Sequence, residues 1–492
     1  MPLVFNEIDL SQMKKARDAF APRNLLNPGK IFPDGESHAI EAHRASPGLY
    51  IYLYFGDYVT SNTASLVEKA VGANKILDPH DNQEYQVQGV IPDLVVSIDE
   101  ERDISAVLLV ASQNNLSVVP WGGGTHQFLG NIPSQVDIVL DLSKYNRVLD
   151  FQPADLTVTV ESGITLSDLK TVVSSSDKLV PIESPAADKA TIGGILATGR
   201  SGPLRYTYGL PKDWLIGSRV VSATGDVSKS GGKVVKNVTG YDLNKLYCGS
   251  LGTLGVISEA TFKLAPHQPS SGVIIAGVDS LDIACGISSL LMSKVYSPQG
   301  IHILNNNGGV ANYSLLLFFC GRVPAVLRRV RECANLLKEN GIIVTEQLAD
   351  DQANEMIEHI NNMGHSDDTI PACEIKVNIM PDNFLDVWRQ CETLLLESQL
   401  EFIGDPGFGT IRILSSTTGG TPDNVFIENV SALRQFVSER NGTVTIERCS
   451  SSIKEQVDVW GGTHPELSVM ERVKKQFDPN GILNPCRFMG HL

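Results

Sequence analysis

The sequence has little that would tie the chain to a metal ion, a membrane or nucleic acid. Its eight cysteines are scattered, and none stands in a Cys-x-x-Cys pair, which excludes the common zinc, thiol-redox and iron–sulfur spacings. No apolar run approaches the roughly 18 residues that a membrane span needs. The net charge of −16 argues against a nucleic-acid partner, because phosphates attract basic surfaces. The first residues lack a basic stretch followed by an apolar core, so we expect a cytoplasmic protein without a secretory signal.

Glycine, in contrast, is abundant and concentrated in a few stretches. Residues 118–126 read Val-Val-Pro-Trp-Gly-Gly-Gly-Thr-His, a short apolar run that ends in three glycines. Glycine loses more conformational freedom on folding than any other residue, so three in a row are typical of a loop that another group approaches closely. Successive backbone N–H groups in such a loop can bind an anion. The alternative is an ordinary tight turn.

Two further glycine-rich stretches favour the anion site. They lie at residues 190–199 and 236–257, again beside apolar runs. Three such stretches predict a large, flat, phosphorylated ligand that contacts all of them. A P-loop NTPase is not expected, since no Lys follows the glycines, and Gln127 stands where a Rossmann motif needs its third glycine.

The pattern changes after Pro266 to fewer glycines and longer helical periods. The order strand–helix–strand–strand–helix–strand, the split βαβ arrangement, occurs there twice. We therefore predict an α+β protein whose cap domain, residues 267–448, consists of duplicated split βαβ units.

The two ends of the chain resemble each other. Met13, Phe20 and Pro28 recur with their neighbours, at one constant offset, as Met470, Phe477 and Pro485. One copy at each end is not a solenoid. It predicts two related tails, of which the first has lost the domain that preceded it.

Four motifs, at residues 120–125, 191–194, 237–242 and 249–257, resemble in this order those of the vanillyl-alcohol-oxidase or PCMH-type FAD-binding family. The resemblance runs from about Leu66 to the C-terminus, and it is closest to the GlcE-type FAD-binding subunit of glycolate oxidase. It implies a PCMH-type FAD-binding domain of two α/β subdomains, an α/β cap, and a non-covalent FAD between them.

The resemblance also implies which residues bind FAD. The first glycine stretch would hold the pyrophosphate through backbone N–H groups, and the second would lie along the diphosphate and ribityl chain. The third would border the isoalloxazine and adenine, and the C-terminal tail would fold back over the domain. The predicted cofactor-binding residues are Trp121, Gly122, Gly123, Gly124, Thr125, His126, Thr191, Ile192, Gly193, Gly194, Gly199, Gly249, Ser250, Gly252, Ile257 and Asn484.

Some positions depart from the family pattern. His126 stands one residue past the histidine that tethers flavin in covalent members, so we expect no tether. Catalytic members carry a metal-binding set of His and acidic residues, but residues 443–450 lack the expected Glu-His-Gly, and we predict no metal site. Leu251 stands where catalytic relatives have Glu, which points to an accessory subunit.

The catalytic residues stay unassigned apart from Tyr241 and Asp242, for which ordering of the glycine loop is the alternative. His359 and His365 are too isolated to form a metal pair, so a solvated helix end is expected. Arg487 is a candidate anion contact, for which an exposed surface position is the default expectation.

The resemblance divides the chain into five parts. They are 1–33, the remnant tail of an upstream GlcD-type flavin subunit; 34–64, a linker; 65–266, the FAD-binding domain; 267–448, the cap; and 449–492, which returns to the FAD-binding domain.

The function that follows is the FAD-binding subunit of a glycolate oxidase-like complex that oxidises a small 2-hydroxy acid. Its expected partners are a GlcD-type catalytic flavin subunit and an iron–sulfur subunit, through which it would attach to the inner membrane. Two alternatives stay open. One is a self-sufficient FAD-linked 2-hydroxy acid dehydrogenase, and the other is a non-catalytic, flavin-binding electron-relay subunit.

Overall fold

The computed structural model describes residues 7–20, 56–232, 241–306, 311–365, 370–395, 400–415, 422–462 and 465–492. Residues 237–240 of the third predicted motif and residues 21–33 of the first tail lie outside the described residues. Residues 56–64 of the predicted linker belong to a helix that runs to residue 71.

The first lobe holds most of the short helices and three separate sheets, of three, two and five strands. Its elements are α1 (Glu7–Phe20), α2 (Gly56–Val71), β1 (Leu94–Ser97), α3 (Glu101–Asn114), β2 (Val118–Trp121), β3 (Ile138–Asp141), β4 (Val148–Gln152), β5 (Thr157–Glu161), α4 (Leu166–Ser174), β6 (Lys178–Leu179), α5 (Ile192–Thr198), α6 (Arg205–Tyr208), α7 (Pro211–Trp214), β7 (Leu215–Val221), β8 (Val227–Gly231), α8 (Leu243–Tyr247), β9 (Val256–Lys263) and β10 (Ala265–Pro266).

The three-stranded sheet of this lobe is parallel, with the order β1-β3-β2. Helix α3 crosses between β1 and β2 and buries Ile104, Val107 and Leu108, which recur at helical spacing. Since the strands are parallel, their carboxyl ends lie at the same edge of the sheet. The glycine loop therefore starts at that edge, directly after β2.

The second sheet of the lobe is antiparallel, with the order β4-β5-β9-β7-β8. Its central strand β9 is buried almost throughout, and Phe262 packs there against α4 and α5. Thr191 is the N-cap of the short helix α5, and its hydroxyl accepts a hydrogen bond from the Gly194 N–H. The second glycine stretch therefore forms the start of a helix.

The cap is one eight-stranded antiparallel sheet with helices on both faces. Its elements are β11 (Ser270–Val278), α9 (Leu281–Met292), β12 (Gly300–Asn305), β13 (Tyr313–Gly321), α10 (Val323–Glu339), β14 (Ile343–Ala349), α11 (Asp350–Asn362), β15 (Cys373–Asn378), α12 (Phe384–Leu394), β16 (Leu400–Asp405), β17 (Thr410–Ser415), α13 (Asp423–Ser438) and β18 (Thr443–Arg448).

The strand order β14-β11-β13-β12-β16-β17-β15-β18 is two copies of one four-stranded pattern. The copies join where β12 pairs with β16, at Ile303 with Gly404 and Leu304 with Ile403. Helices α9, α10, α12 and α13 cover one face around Trp388. The predicted duplication is thereby confirmed. Helix α11, which the sequence pattern did not predict, packs on the opposite face against Val273, Leu316 and Phe318.

The chain ends with α14 (Ser451–Lys454) and α15 (Leu467–Phe477) and then returns to the first lobe. The buried Lys474 ammonium donates to Asp478 Oδ2 at 2.7 Å and to the Leu483 carbonyl at 2.8 Å. The segment then pairs with the edge strand β2, since the Asn484 N–H donates to the Val118 carbonyl at 3.0 Å. This pairing brings Asn484 to the glycine loop.

The first tail lies against the second. Helix α1 buries Met13, Ala16 and Ala19, and the Arg472 side chain of α15 donates to the Ala19 carbonyl at 2.9 Å. The two helices that the sequence repeat relates therefore pack directly on each other.

Candidate functional site

The three glycine stretches meet at a cleft of about 770 Å³ in the first lobe, the first cleft. The predicted cofactor-binding residues that line it are Trp121, Gly122, Gly123, Gly124, Thr125, His126, Thr191, Gly193, Gly194, Gly252, Ile257 and Asn484.

Close contacts explain the three glycines of the first stretch. A Cβ on Gly122 would lie 2.1 Å from Thr191 Oγ1, and one on Gly123 would lie 1.8 Å from the Lys189 carbonyl oxygen. Gly124 has a φ of +69°, a backbone conformation that residues with a side chain rarely adopt. The loop after β2 can therefore approach residues 189–191 only if it has no side chains, and its backbone stays exposed to the cleft.

The C-terminal tail holds the third glycine stretch against the first. Asn484 Nδ2 donates to the Leu251 carbonyl at 2.6 Å. The Arg487 guanidinium donates to the Gln127 carbonyl at 2.9 Å and to the Leu129 carbonyl at 2.8 Å. Arg487 is 4% exposed, so the expectation of a surface position was wrong. Burial lowers the pKa of Arg487 to about 10.

The first cleft fits FAD by its own chemistry. Gly123 offers exposed backbone for a pyrophosphate, and Arg487 lines the wall without a carboxylate partner among the described residues. Ser162 Oγ and Arg487 Nε are buried there and have no hydrogen-bond partner in the described part of the chain. Buried polar atoms of this kind are normally satisfied, so a polar ligand is expected against this wall.

The other predicted residues lie behind or away from this wall. Ile192 is fully buried in the core of the lobe. A Cβ on Gly199 would meet the Gly249 Cα at 3.3 Å, so these two glycines let the chain cross itself, and Ser250 donates to the Tyr247 carbonyl. The catalytic candidates line neither the first cleft nor the one described next. Tyr241 packs at the edge of the core, and the Asp242 carboxylate lies 3.3 Å from Lys245 Nζ.

A second cleft, of about 690 Å³, lies between the first lobe and the cap. Alternation along the cap strands gives it its chemistry: Ile375 and Val377 of β15 enter the apolar core, while Glu374 and Lys376 take the opposite face. Lys376 pairs across the sheet with Arg412 of β17, so two cations lie side by side. The charged or polar lining residues are Arg200, Ser201, Arg205, His302, Asn361, His365, Lys376, Asp405, Thr410 and Arg412.

Arg200 joins the two sides of this cleft. Its guanidinium donates to Glu374 Oε1 at 3.1 Å, to Glu447 and, at 2.6 Å, to His365 Nε2. Arg412 donates to the same Glu374 oxygen at 2.7 Å, and Lys376 Nζ lies 3.8 Å from Glu447 Oε1. Three cations therefore share two carboxylates, which leaves one positive charge facing the cleft.

The ionisation states follow from burial and these contacts. Burial alone would raise the pKa of Glu374, but Arg412 and Arg200 hold it well below its ordinary value. Burial, and then Arg200, lowers the pKa of His365 to about 3, so that imidazole is neutral at physiological pH. Burial lowers the pKa of Lys376 as well, against the attraction of Glu447. A bound anion would raise the pKa of Lys376 again.

His126 connects the two clefts. Its ring centroid lies 5.5 Å from that of His365 and 5.9 Å from that of Phe128. His126 lines the first cleft and His365 lines the second. These two imidazoles are therefore the neighbouring rings at which the walls of the two clefts meet.

The sequence did not identify the second cleft. His365 was expected at a solvated helix end, yet it accepts from Arg200 and packs on Phe128. The available signal was the alternation Glu374-Ile375-Lys376-Val377, which places two charges on one face of a strand. Nothing in the sequence showed which face of the sheet meets the first lobe.

Comparisons with known proteins agree with this geometry. Residues 92–231 match the family profile of the FAD binding domain, and residues 462–488 match that of the C-terminal domain of FAD linked oxidases. The chain is 33% identical over 206 residues to glycolate oxidase subunit GlcD of Bacillus subtilis (strain 168), which covers 42% of this chain but only 44% of that subunit. It is 22% identical to D-2-hydroxyglutarate dehydrogenase of Stutzerimonas stutzeri (strain A1501) over 80% of this chain and 90% of that one.

Among solved structures, p-cresol methylhydroxylase with substrate bound superposes with a TM-score of 0.69 at 15% identity, over 87% of this chain and 96% of that one. The chain therefore has the PCMH-type FAD-binding fold that the sequence predicted, and it carries an FAD-binding domain. Its relationship to FAD-dependent oxidoreductases is confirmed.

Two further findings concern only the part of the chain that the structure describes. No group of three or more His, Cys, Asp or Glu side chains there is placed to hold a metal ion. None of the described helices has the length and apolar character of a membrane span.

The contact at Gly123 gives a first prediction. Gly123→Ala should lower the affinity for FAD by about 30-fold, because overpacking against the Lys189 carbonyl costs about 2 kcal/mol and must displace the loop. Titration of the FAD-free protein with FAD measures the change. Gly286→Ala in α9 is the matched control, since a Cβ there meets nothing, and it should leave FAD affinity unchanged. Equal affinities for both variants would contradict the role of the loop.

A second prediction concerns Glu183, which holds the loop that carries Arg200 by accepting from the Leu204 N–H at 2.7 Å. Burial raises the pKa of Glu183 to about 7. The folded chain then keeps this proton at pH values where the unfolded chain has lost it, so stability falls as pH rises from about 4.5 to 7.

The Glu183→Gln variant lacks this titration. Its stability relative to the wild type should increase by about 3 kcal/mol between pH 4.5 and 7.5. Chemical denaturation of both proteins across that range measures the difference, in which all other groups cancel. A difference that does not change with pH would contradict the assignment.

Proposed function

We propose that the chain is a self-sufficient FAD-dependent dehydrogenase of small 2-hydroxy acids. The observation that carries this proposal is the second cleft, where Lys376 and Arg412 are two of three cations that share only two carboxylates, so that one positive charge is in excess. A carboxylate bound to these cations would be held by charge-assisted hydrogen bonds, which are the stronger kind. The remainder of a small acid would then extend toward His126 and the first cleft.

The residues of the chain supply binding and orientation. Lys376 and Arg412 would hold the carboxylate, and the backbone at Gly122 to Gly124 and the Arg487 guanidinium would hold the diphosphate of FAD. When bound, FAD supplies the two-electron acceptor for the hydrogen at the α-carbon. The cap sheet would cover the reacting centre and exclude water from it.

The comparisons support the same class of reaction. GlcD is named a glycolate oxidase subunit, and the relative that aligns over 90% of its length is named a D-2-hydroxyglutarate dehydrogenase. Both names refer to 2-hydroxy acids. A dehydrogenase that works alone therefore has more support than the accessory subunit that the sequence alone favoured.

The accessory subunit remains the second candidate, with a GlcD-type flavin subunit and an iron–sulfur subunit as its partners. Residues 447–449 favour it, since they read Glu-Arg-Cys where the catalytic members that the sequence resembles have Glu-His-Gly.

One experiment separates the two candidates. The purified chain is loaded with FAD, and glycolate, D-lactate or D-2-hydroxyglutarate is added without oxygen. Loss of the visible flavin absorbance with one of these acids supports the dehydrogenase. A yellow protein that keeps its absorbance with all three acids would favour the accessory role, and a chain that binds no FAD would contradict both.

A variant of the second cleft tests where the acid binds. Lys376→Met should weaken binding of the reactive 2-hydroxy acid by about 30-fold, because a hydrogen bond to a charged group contributes about 2 kcal/mol. The substrate dependence of flavin bleaching gives this affinity, and FAD affinity should not change.

The matched control for that variant is Lys338→Met, which removes an exposed lysine from the last turn of α10. It should bind the acid like the wild type. If both lysine variants bind the acid equally well, the carboxylate does not bind at the second cleft.

A further inference from the structure

His126 is placed between the two clefts with one ring nitrogen left over. The residue is 8% exposed, and its Nε2 atom has no hydrogen-bond partner in the described part of the chain. A buried imidazole nitrogen normally finds a partner. At this position the partner has to come from a ligand.

We propose, on the basis of the function proposed above, that His126 Nε2 accepts the hydroxyl proton of the 2-hydroxy acid. In this step the O–H bond breaks and an N–H bond forms on Nε2. The α-carbon loses its hydrogen with the bonding electron pair to FAD, and the C–O bond becomes a carbonyl. The hydroxy acid thereby becomes a 2-oxo acid, and FAD, as the oxidant, takes up the two electrons.

The contact with the neighbouring threonine accommodates the tautomer that this role requires. His126 Nδ1 lies 2.8 Å from Thr125 Oγ1. When Nδ1 carries the proton and donates to Thr125, the Nε2 lone pair is free to face the ligand. Thr125 is itself held in the glycine loop, so cofactor binding and the orientation of this imidazole depend on the same segment.

The other imidazoles around the clefts are already engaged. His365 accepts from Arg200 through Nε2, and its Nδ1 lies 3.3 Å from the Met363 carbonyl. His302 Nε2 donates to the Pro203 carbonyl at 2.8 Å. Glu374 Oε2 also lacks a hydrogen-bond partner among the described residues, but Arg412 and Arg200 hold the pKa of this carboxylate well below its ordinary value, which makes it a weak base. His126 is the imidazole at the junction that retains a free ring nitrogen among the described residues.

The charges around His126 keep it neutral until the acid binds. Burial, and then Arg200, lowers its pKa well below the ordinary value, with Arg448 adding to this and Glu374 opposing it. The Arg448 guanidinium lies 3.7 Å from the centre of the Phe128 ring, next to His126. A substrate carboxylate would offset these cations, which raises the proton affinity of the imidazole in the complex that reacts.

The test compares His126→Gln with the wild type. Glutamine keeps a polar side chain but cannot accept a proton in this way. The anaerobic rate of flavin bleaching at saturating acid should fall by at least about 100-fold. FAD affinity should stay within a factor of about 3, because in this assignment the lost lone pair on Nε2 contacts the substrate and not the cofactor. His359→Gln on the exposed face of α11 is the control and should bleach at the wild-type rate.

Two results of that comparison would overturn the assignment. A bleaching rate within a factor of about 3 of the wild type shows that His126 takes no proton. A loss of FAD affinity that accounts for the whole rate change shows that the residue only holds the cofactor.

A measurement without turnover separates this assignment from the proposed function. Nitrogen NMR of ¹⁵N-histidine protein, assigned with the His126→Gln variant, reports which ring nitrogen carries the proton. We expect an unprotonated Nε2 whose resonance moves when oxalate, an unreactive carboxylate, is added. A proton on Nε2 at neutral pH overturns the assignment even if the acids bleach the flavin. If no acid bleaches the flavin, the proposed function fails. An unprotonated Nε2 that responds to oxalate would then still place this nitrogen beside a bound carboxylate, whereas an Nε2 that does not respond would overturn the assignment as well.

Discussion

The structure depends on the ion pairs of Arg200 with two carboxylates of the cap. Arg200 follows Gly199 in the first lobe, and its guanidinium forms ion pairs with Glu374 on β15 and Glu447 on β18 of the cap. Removing one partner of a buried ion pair costs about 3–5 kcal/mol, because the other charge is left uncompensated. These contacts therefore favour one placement of the cap on the first lobe. In that placement Lys376 and Arg412 line the second cleft.

The same contacts determine the chemistry of the junction. Arg200 occupies Nε2 of His365, so the free ring nitrogen belongs to His126 on the other side. It also shares Glu374 with Arg412, so that the cations of the second cleft outnumber the carboxylates they pair with by one. In the proposed function, the FAD site, the carboxylate site and a neutral imidazole are brought together by contacts between the two lobes.

The sequence predicted much of the fold, because the features that encode it are local. Glycine is needed wherever a backbone approaches another closely, as at Gly123, and a period of two or of 3.6 residues identifies strands and helices. The duplicated cap was predicted in this way, and most of the predicted cofactor residues line one cleft. Helix α11 was missed although Ala353, Ile357 and Ile360 recur at helical spacing.

The second cleft could not be predicted from local patterns. Arg200, His365, Lys376 and Arg412 come from four separated parts of the chain, and only the docking of the cap on the first lobe brings them together. Arg487 was misjudged for a related reason: an isolated arginine is normally exposed, and its burial depends on carbonyl groups at Gln127 and Leu129 that lie far away in sequence.

A crystal structure of the chain with FAD and the 2-oxo acid product tests the account most directly. We expect the diphosphate of FAD along the backbone of Gly122 to Gly124, and the product carboxylate within hydrogen-bond distance of Lys376 Nζ and the Arg412 guanidinium. The oxygen that derives from the substrate hydroxyl should lie beside His126 Nε2. A product bound elsewhere, or a flavin whose ring lies away from the junction of the two clefts, would contradict the account.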